Sequence, residues 1–386
     1  MGRLAPSGIR KINERALELE RQGKKVFHFE IGRPDFDTPG YIKKAAVESI
    51  QHGDVFYTSN FGDLELRRAI AEKLNRDNGC HYSFQNILVS VGLSEGVFDV
   101  LCAVLNESDE ILISDPVWIN YLNIPKFLGA VPVSYQLKEE NGYQPDLNEI
   151  RAKITDKTKA IIITTPHNPT GSVLSEEVLR GLAEIAIQHD LLVISDEIYE
   201  RLVYGEKKHV SIASLPGMQE RTFTLNGFSK AYSMTGWRVG YIAAPEEWIT
   251  AINKLHQQNT TCAASFVQKA ALAALRQESG EVDRMVAEYR RRRDYAVKAI
   301  NEIEGVSCAC PEGAFYIFLN VRELGKSSEF VCEYLLEKYQ IAMVPGSVFG
   351  ASGEGYLRMS YASSFESIVE GCTRLKAAVQ ELRDER

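Results

Sequence analysis

One pattern governs the first 280 residues of this chain: short apolar runs, each followed by a stretch of helical length with one apolar face. The runs are "NILVSVG", "EILISDP", "VPVSYQL", "KAIIITTP", "LLVISDE", "RTFTLNGFS" and "VGYIAAP". Runs of about four to eight residues without polar alternation, separated by helices, are what strands buried on both faces look like. The pattern predicts an α/β fold with a mostly parallel seven-stranded sheet covered by helices. No internal repeat, low-complexity tract or charge block interrupts it.

From about residue 279 the pattern changes. A long charged helix, "EVDRMVAEYRRRRDYAVKAINEI", leads into sparser strands, "GAFYIFLNV" and "GYLRMSY", a loop "VPGSVFG" and a last helix "ESIVEGCTRLKAAVQEL". The run Arg290 to Arg293 reads as a solvated helix face. The expected organisation is a large domain over residues 38–280 and a smaller α+β domain from 1–37, with its strand-like "KVFHFEIG", joined to 281–386.

At 386 residues the chain is long enough for a sizeable core. Its 44 basic and 52 acidic residues give a net charge of -8, which argues against a nucleic-acid or anionic-membrane surface and makes small molecules the expected partners. The seven cysteines are scattered and mostly set among apolar neighbours, as free core thiols of a reducing compartment would be. Cys308 and Cys310 lie too near each other and too far from any histidine for a zinc site, so no metal is expected. The N-terminus lacks an apolar signal core, and Pro6 stands where a myristoylation signal wants Ser or Thr. With no apolar run of membrane-spanning length, a cytoplasmic protein is expected.

In open α/β sheets ligands sit outside the carboxyl ends of the strands, so the residues just after each apolar run carry the chemistry. "GLSEG" follows the first run; Gly92, Leu93 and Ser94 would present amides and a hydroxyl at a helix N-terminus, an anion site, although an ordinary turn capped by Ser94 reads the same way. "HNPTG" holds Asn168 between prolines, as a turn former or as a fixed amide donor. "DEIY" places Asp196 at a buried strand end, as a helix cap or as a carboxylate in need of a cation, with Tyr199 three residues on. Lys230, after "TFTLNGF", is by itself more often a solvated surface charge than a nucleophile.

The set narrows these choices. Together the residues ask for an aldehyde to meet Lys230, a phosphate for Arg238 and the Gly92 turn, a cationic ring nitrogen for Asp196, and a ring oxygen for Asn168 and Tyr199. Pyridoxal 5'-phosphate carries all four, and Trp118 in "DPVWINY" could stack on its ring.

The motifs "GRPDFDTP", "YTSNFGDLELRRAI", "VGLSEG", "DPVWINY", "TTPHNPTG", "SDEIY", "NGFSKAYSMTGWRVGY", "PEGAFYIF", "VPGSVFG" and "YLRMSYA" follow in order through nearly the whole chain. With them the sequence resembles the class I aminotransferases of fold type I, the pyridoxal-phosphate enzymes related to aspartate and aromatic aminotransferases. The resemblance implies that Lys230 is the Schiff-base lysine and Asp196 the partner of the ring nitrogen. It implies further that Asn168 and Tyr199 meet the phenolic oxygen, that Trp118 stacks, and that Gly92, Leu93, Ser94 and Arg238 form the phosphate cup. Arg358 looks like the bidentate grip on the substrate α-carboxylate, in a pocket that Gly32, Trp118 and Asn168 would also line. Tyr57 resembles the tyrosine that reaches the neighbouring subunit's phosphate, which implies a homodimer with shared active sites.

Three positions depart from the family pattern. Arg33 stands where members usually have glutamate, and Gly227 where many have a phosphate-binding serine, leaving Ser229 or backbone groups to substitute. Ser94 stands where members tuned to acidic substrates carry lysine, which weakens the case for dicarboxylate specificity. The expected activity is amino transfer from an aromatic, alanine-type or aspartate-type L-amino acid to a 2-oxo acid, with 2-oxoglutarate as the expected acceptor. A carbon-sulfur β-lyase would use the same constellation. A non-catalytic pyridoxal-phosphate-sensing regulator is the more distant alternative, since no winged helix or basic arm precedes the motifs.

Overall fold

The structure, a computed structural model, describes residues 8–277 and 280–385; the N-terminal segment with Pro6 lies outside the described residues. Its strands are β1 (Phe27–His28), β2 (Ile87–Ser90), β3 (Glu110–Asp115), β4 (Val131–Gln136), β5 (Thr158–Thr164) and β6 (Leu192–Asp196). They continue with β7 (Thr222–Gly227), β8 (Gly240–Ala243), β9 (Tyr316–Asn320), β10 (Ile341–Ala342), β11 (Val344–Pro345) and β12 (Tyr356–Ser360).

All seven apolar runs of the first part form one sheet, in the order β2-β8-β7-β6-β5-β3-β4. Its neighbours are parallel except at β8, which runs antiparallel to both β2 and β7. Side chains alternate across a strand, so both faces of these Ile- and Val-rich segments must be covered. Ile111, Ile113, Ile162 and Ile194 pack on one side with Val97, Val100 and Leu101 of the helix Leu93–Val104. Leu112, Ile161, Ile163 and Val193 pack on the other with Leu179, Leu182 and Ile185 of the helix Glu176–Gln188.

The later strands build two smaller sheets. β12 lies between β11 and β9, antiparallel to both, and β1 pairs with β10 in parallel. The helices Glu281–Asn301 and Phe365–Asp384 share a core with them through Tyr289, Phe315, Ile317, Leu375 and Val379. Of "KVFHFEIG" only Phe27 and His28 pair as strand, because the chain then turns into the loop that carries Gly32.

The four-arginine run is not a solvated face throughout. Arg292 and Arg293 are buried, because the core-facing residues of this helix, Met285, Tyr289, Ala296 and Ile300, recur every three or four positions and Arg292 falls among them. The Arg292 Nη1 donates to both carboxylate oxygens of Asp35, at 2.8 and 2.9 Å, and its Nε donates to Glu288 at 2.9 Å. Arg293 donates to the Pro311 carbonyl at 2.9 Å. All seven cysteines are free thiols; Cys80, Cys308, Cys332 and Cys372 are buried, whereas Cys310 is exposed.

Asp35 belongs to the "GRPDFDTP" loop, so Arg292 ties that loop to the helix behind it. Arg292→Met strips the carboxylate of its partner and is expected to lower unfolding stability by about 2 kcal/mol, below the range for a fully buried pair because Asp35 remains partly open to solvent. Chemical denaturation of the two proteins checks this.

Candidate active site

Five parallel strands and one antiparallel strand deliver their residues to one rim. Trp118 stands three residues after β3, Asn168 four after β5, and Lys230 three after β7, while β6 ends on Asp196 itself. Gly92 follows β2 by two residues. Because β8 runs backwards, its beginning lies at this same rim, with Gly240 paired to Ser90 and Gly227, and Arg238 enters from there. These ends surround a cavity of about 460 Å³.

The Gly92 turn is built for close approach. Gly92 has φ 74°, and a Cβ there would lie 2.2 Å from the Arg238 guanidinium. It precedes the helix Leu93–Val104 as its N-cap and supplies no side-chain cap, so the first amides stay available for an anion. Ser94 is exposed and lines the cavity with Leu93. Behind the turn, Glu95 accepts hydrogen bonds from the Val91 amide at 2.5 Å and from Thr260 Oγ1 at 2.7 Å, and lies 2.7 Å from His256 Nδ1. Burial works against a charged His256, but the carboxylates of Asp99 and Glu95 raise it to about 9. The turn is thus held from behind by an ion pair.

Asp196 is buried, and burial raises its carboxyl to about 6 against hydrogen bonds from Tyr121 and the Ile198 amide. The Tyr121 hydroxyl donates to Asp196 Oδ2 at 2.6 Å, and the amide to Oδ1 at 3.1 Å. No cationic side chain among the described residues forms an ion pair with it. Lys230 lies in the same cavity, its amine lowered to about 8 by burial and by the Arg358 guanidinium. Its Nζ donates to the Gly32 carbonyl at 2.5 Å and lies 5.7 Å from the ring centres of both Tyr199 and Phe315.

Arg358, in the middle strand of the small sheet, is 2% exposed. Its Nη1 donates to Asn168 Oδ1 at 3.1 Å and its Nη2 to the Glu30 carbonyl at 2.6 Å, while Nε has no partner among the described residues. The guanidinium lies over the Tyr316 and Phe349 rings, at 4.5 and 4.9 Å. Tyr316 also shares a 2.8 Å hydrogen bond with the Tyr199 hydroxyl and crowds Gly32, where a Cβ would fall 2.2 Å from the Tyr316 oxygen. Burial holds the Tyr199 phenol protonated, well above its ordinary range.

Most residues singled out in the sequence therefore meet in one cavity. Two stand apart from its lining: Gly92 lies just behind, against Arg238, and Tyr57 is 86% exposed beside the equally open Phe56. At Gly227 a Cβ would lie 2.9 Å from the Gly240 Cα, so the strand pairing leaves no room for a serine, and Ser229 lines the cavity instead. Two functional residues escaped the sequence reading. Tyr121 and Tyr316 both occur inside quoted motifs, "DPVWINY" and "PEGAFYIF", but only their contacts with Asp196 and Tyr199 reveal what they do.

This sheet topology and rim define a fold type I enzyme. The sequence matches the aminotransferase class I and II family over residues 24–375, and the chain belongs to that family, a family of pyridoxal-phosphate-dependent transaminases. It is 44% identical to a probable aspartate/prephenate aminotransferase of Aquifex aeolicus, over 98% of this chain and 97% of the relative. The solved aromatic aminotransferase of Pyrococcus horikoshii is 42% identical with a TM-score of 0.91, over 96% of this chain and 99% of that one. The aspartate aminotransferase of Thermus thermophilus, solved with maleate, is 36% identical with a TM-score of 0.94, over 98% of each chain.

Tyr121 stabilises the ionised form of Asp196, so its loss lets burial raise the carboxyl further. Tyr121→Phe is expected to move the acid limb of the kcat/KM profile upward by about one pH unit, the size of one hydrogen bond to a charged group. An unmoved limb would show that Asp196 does not control it.

Proposed function

We propose that this transaminase moves the amino group of aromatic, alanine-type and aspartate-type L-amino acids to 2-oxoglutarate, using pyridoxal 5'-phosphate held at the strand-end rim. The observation that carries the reading is that one cavity holds a lysine of lowered basicity and a buried carboxylate that forms no ion pair among the described residues. A protonated ring nitrogen is the missing partner for that carboxylate, and the donor-rich Gly92 turn with Arg238 suits a phosphate.

Bound there, the cofactor would supply an aldehyde that condenses with amines and a ring that accepts an electron pair. Asp196, oriented by Tyr121, would keep the ring nitrogen protonated. Asn168 and Tyr199 would hold the phenolic oxygen and Trp118 would cover the ring, with Leu93, Ser94, Ser229 and Arg238 around the phosphate. Lys230 Nζ, lowered to about 8, gives up its proton readily near neutral pH and so can carry one between the substrate α-carbon and the cofactor's C4'. Arg358 would grip the α-carboxylate, with Gly32 shaping the same wall, and so fix which bond at the α-carbon is broken. Tyr57, open on the surface of a single chain, would serve a second subunit's site in a homodimer. The division into a large domain, 38–280, and a discontinuous small one, and a cytoplasmic location, complete the proposal.

A spectrophotometric screen of amino donors with 2-oxoglutarate tests it: glutamate should form from phenylalanine, tyrosine, alanine and aspartate. Pyruvate and ammonia released without a 2-oxo acid would instead identify a lyase. Arg358→Ala should lower kcat/KM for every donor together, by about 2–5 kcal/mol for a buried charge-assisted pair. Loss confined to one class of donor would place Arg358 elsewhere than at the α-carboxylate.

A further inference from the structure

Among the described residues three guanidinium groups line the cavity, those of Arg33, Arg238 and Arg358. On the proposed function, on which this inference rests, Arg238 serves the phosphate and Arg358 the α-carboxylate. Arg33 is left over. Among the described residues it makes no hydrogen bond or ion pair, although two carboxylates follow it closely in sequence. Both are engaged elsewhere: Asp35 by Arg292 and Asp37 by Lys43.

The backbone beneath Arg33 is fixed on both sides. Before it, the Gly32 carbonyl accepts from Lys230 and the Gly32 Cα is crowded by Tyr316. After it, Pro34 is buried and Asp35 is clamped at two oxygens. Consecutive Cα atoms are about 3.8 Å apart, so the Arg33 side chain starts within one residue of the group that touches Lys230. Its own side chain is exposed at the cavity mouth. A loop held on both sides thus presents to the cavity a cation that has no counterion among the described residues, and Ser94 and Trp118 in the same lining are neutral.

We propose that Arg33 is a specificity-determining residue that binds the distal carboxylate of dicarboxylic substrates. A bound cofactor and an acidic amino acid bring three anionic groups, a phosphate, an α-carboxylate and a side-chain carboxylate, to three guanidinium groups. Arg33 also explains how one site serves acidic and neutral donors. Being exposed, it loses little hydration when the carboxylate is absent, whereas a buried cation would be left unpaired.

Succinate and butyrate have the same carbon count and differ by one carboxylate. Titrated by calorimetry into the holoenzyme, Arg33→Gln should bind succinate about tenfold more weakly and butyrate within about twofold of the native protein, the effect of one partly exposed charge-assisted pair. In turnover, kcat/KM for aspartate and glutamate should fall by a similar factor, those for alanine and phenylalanine should hold, and Arg33→Lys should recover part of the loss. Equal changes for both ligands, or none, would overturn the assignment, as would a loss of dimer stability without discrimination, which would make Arg33 the counterion of a partner's carboxylate. If the native protein transaminates no donor, the proposed function falls and this inference with it; turnover that ignores Arg33 sinks the inference alone.

Discussion

A lysine and an aspartate share one desolvated cavity without pairing to each other or to any other charge among the described residues, and the rest of the site follows from that. Lys230 is met by a carbonyl and two aromatic faces, Asp196 by a phenol and an amide. Asp196 is buried and Lys230 half-buried, and burial pushes both toward neutrality: the lysine down to about 8, the aspartate up to about 6. A chain that needed only stability would pair such groups or replace them. Under the proposed function, that unpaired state would suit them to an aldehyde and a ring nitrogen.

Keeping the two apart yet convergent is the work of the sheet. Asp196 is the last residue of β6, and Lys230 lies beyond the end of the neighbouring strand β7, so adjacent parallel strands aim both at the rim. The single reversed strand, β8, has a matching purpose, since its beginning brings Arg238 to the same edge. The smaller sheet lines the cavity through Tyr316 and through Arg358 of its central strand, which bonds to Asn168. Arg292 extends that link to the loop holding Gly32 and Arg33.

Much of this was legible in the sequence because strand ends in an α/β sheet are where chemistry can face solvent. Asp196, Asn168 and Lys230 stand directly after unbroken apolar runs, and those runs became adjacent strands. What stayed hidden depends on contacts between distant segments. Nothing near Tyr121 says that its hydroxyl reaches Asp196, 75 residues away. The burial of Arg292 could have been suspected from its place among Met285, Tyr289 and Ala296, but four consecutive arginines resemble a wet surface until Asp35 supplies the partner. Tyr57 came from family likeness alone, and it lies exposed, away from the cavity lining.

The central claim is that Lys230 alone bonds to the cofactor. Borohydride reduction of the pyridoxal-phosphate-loaded protein, followed by digestion and mass spectrometry of the peptides, tests it most directly. The pyridoxyl group should appear on the peptide carrying Lys230 and vanish in Lys230→Ala. Label on another lysine, or undiminished label in the variant, would contradict the account.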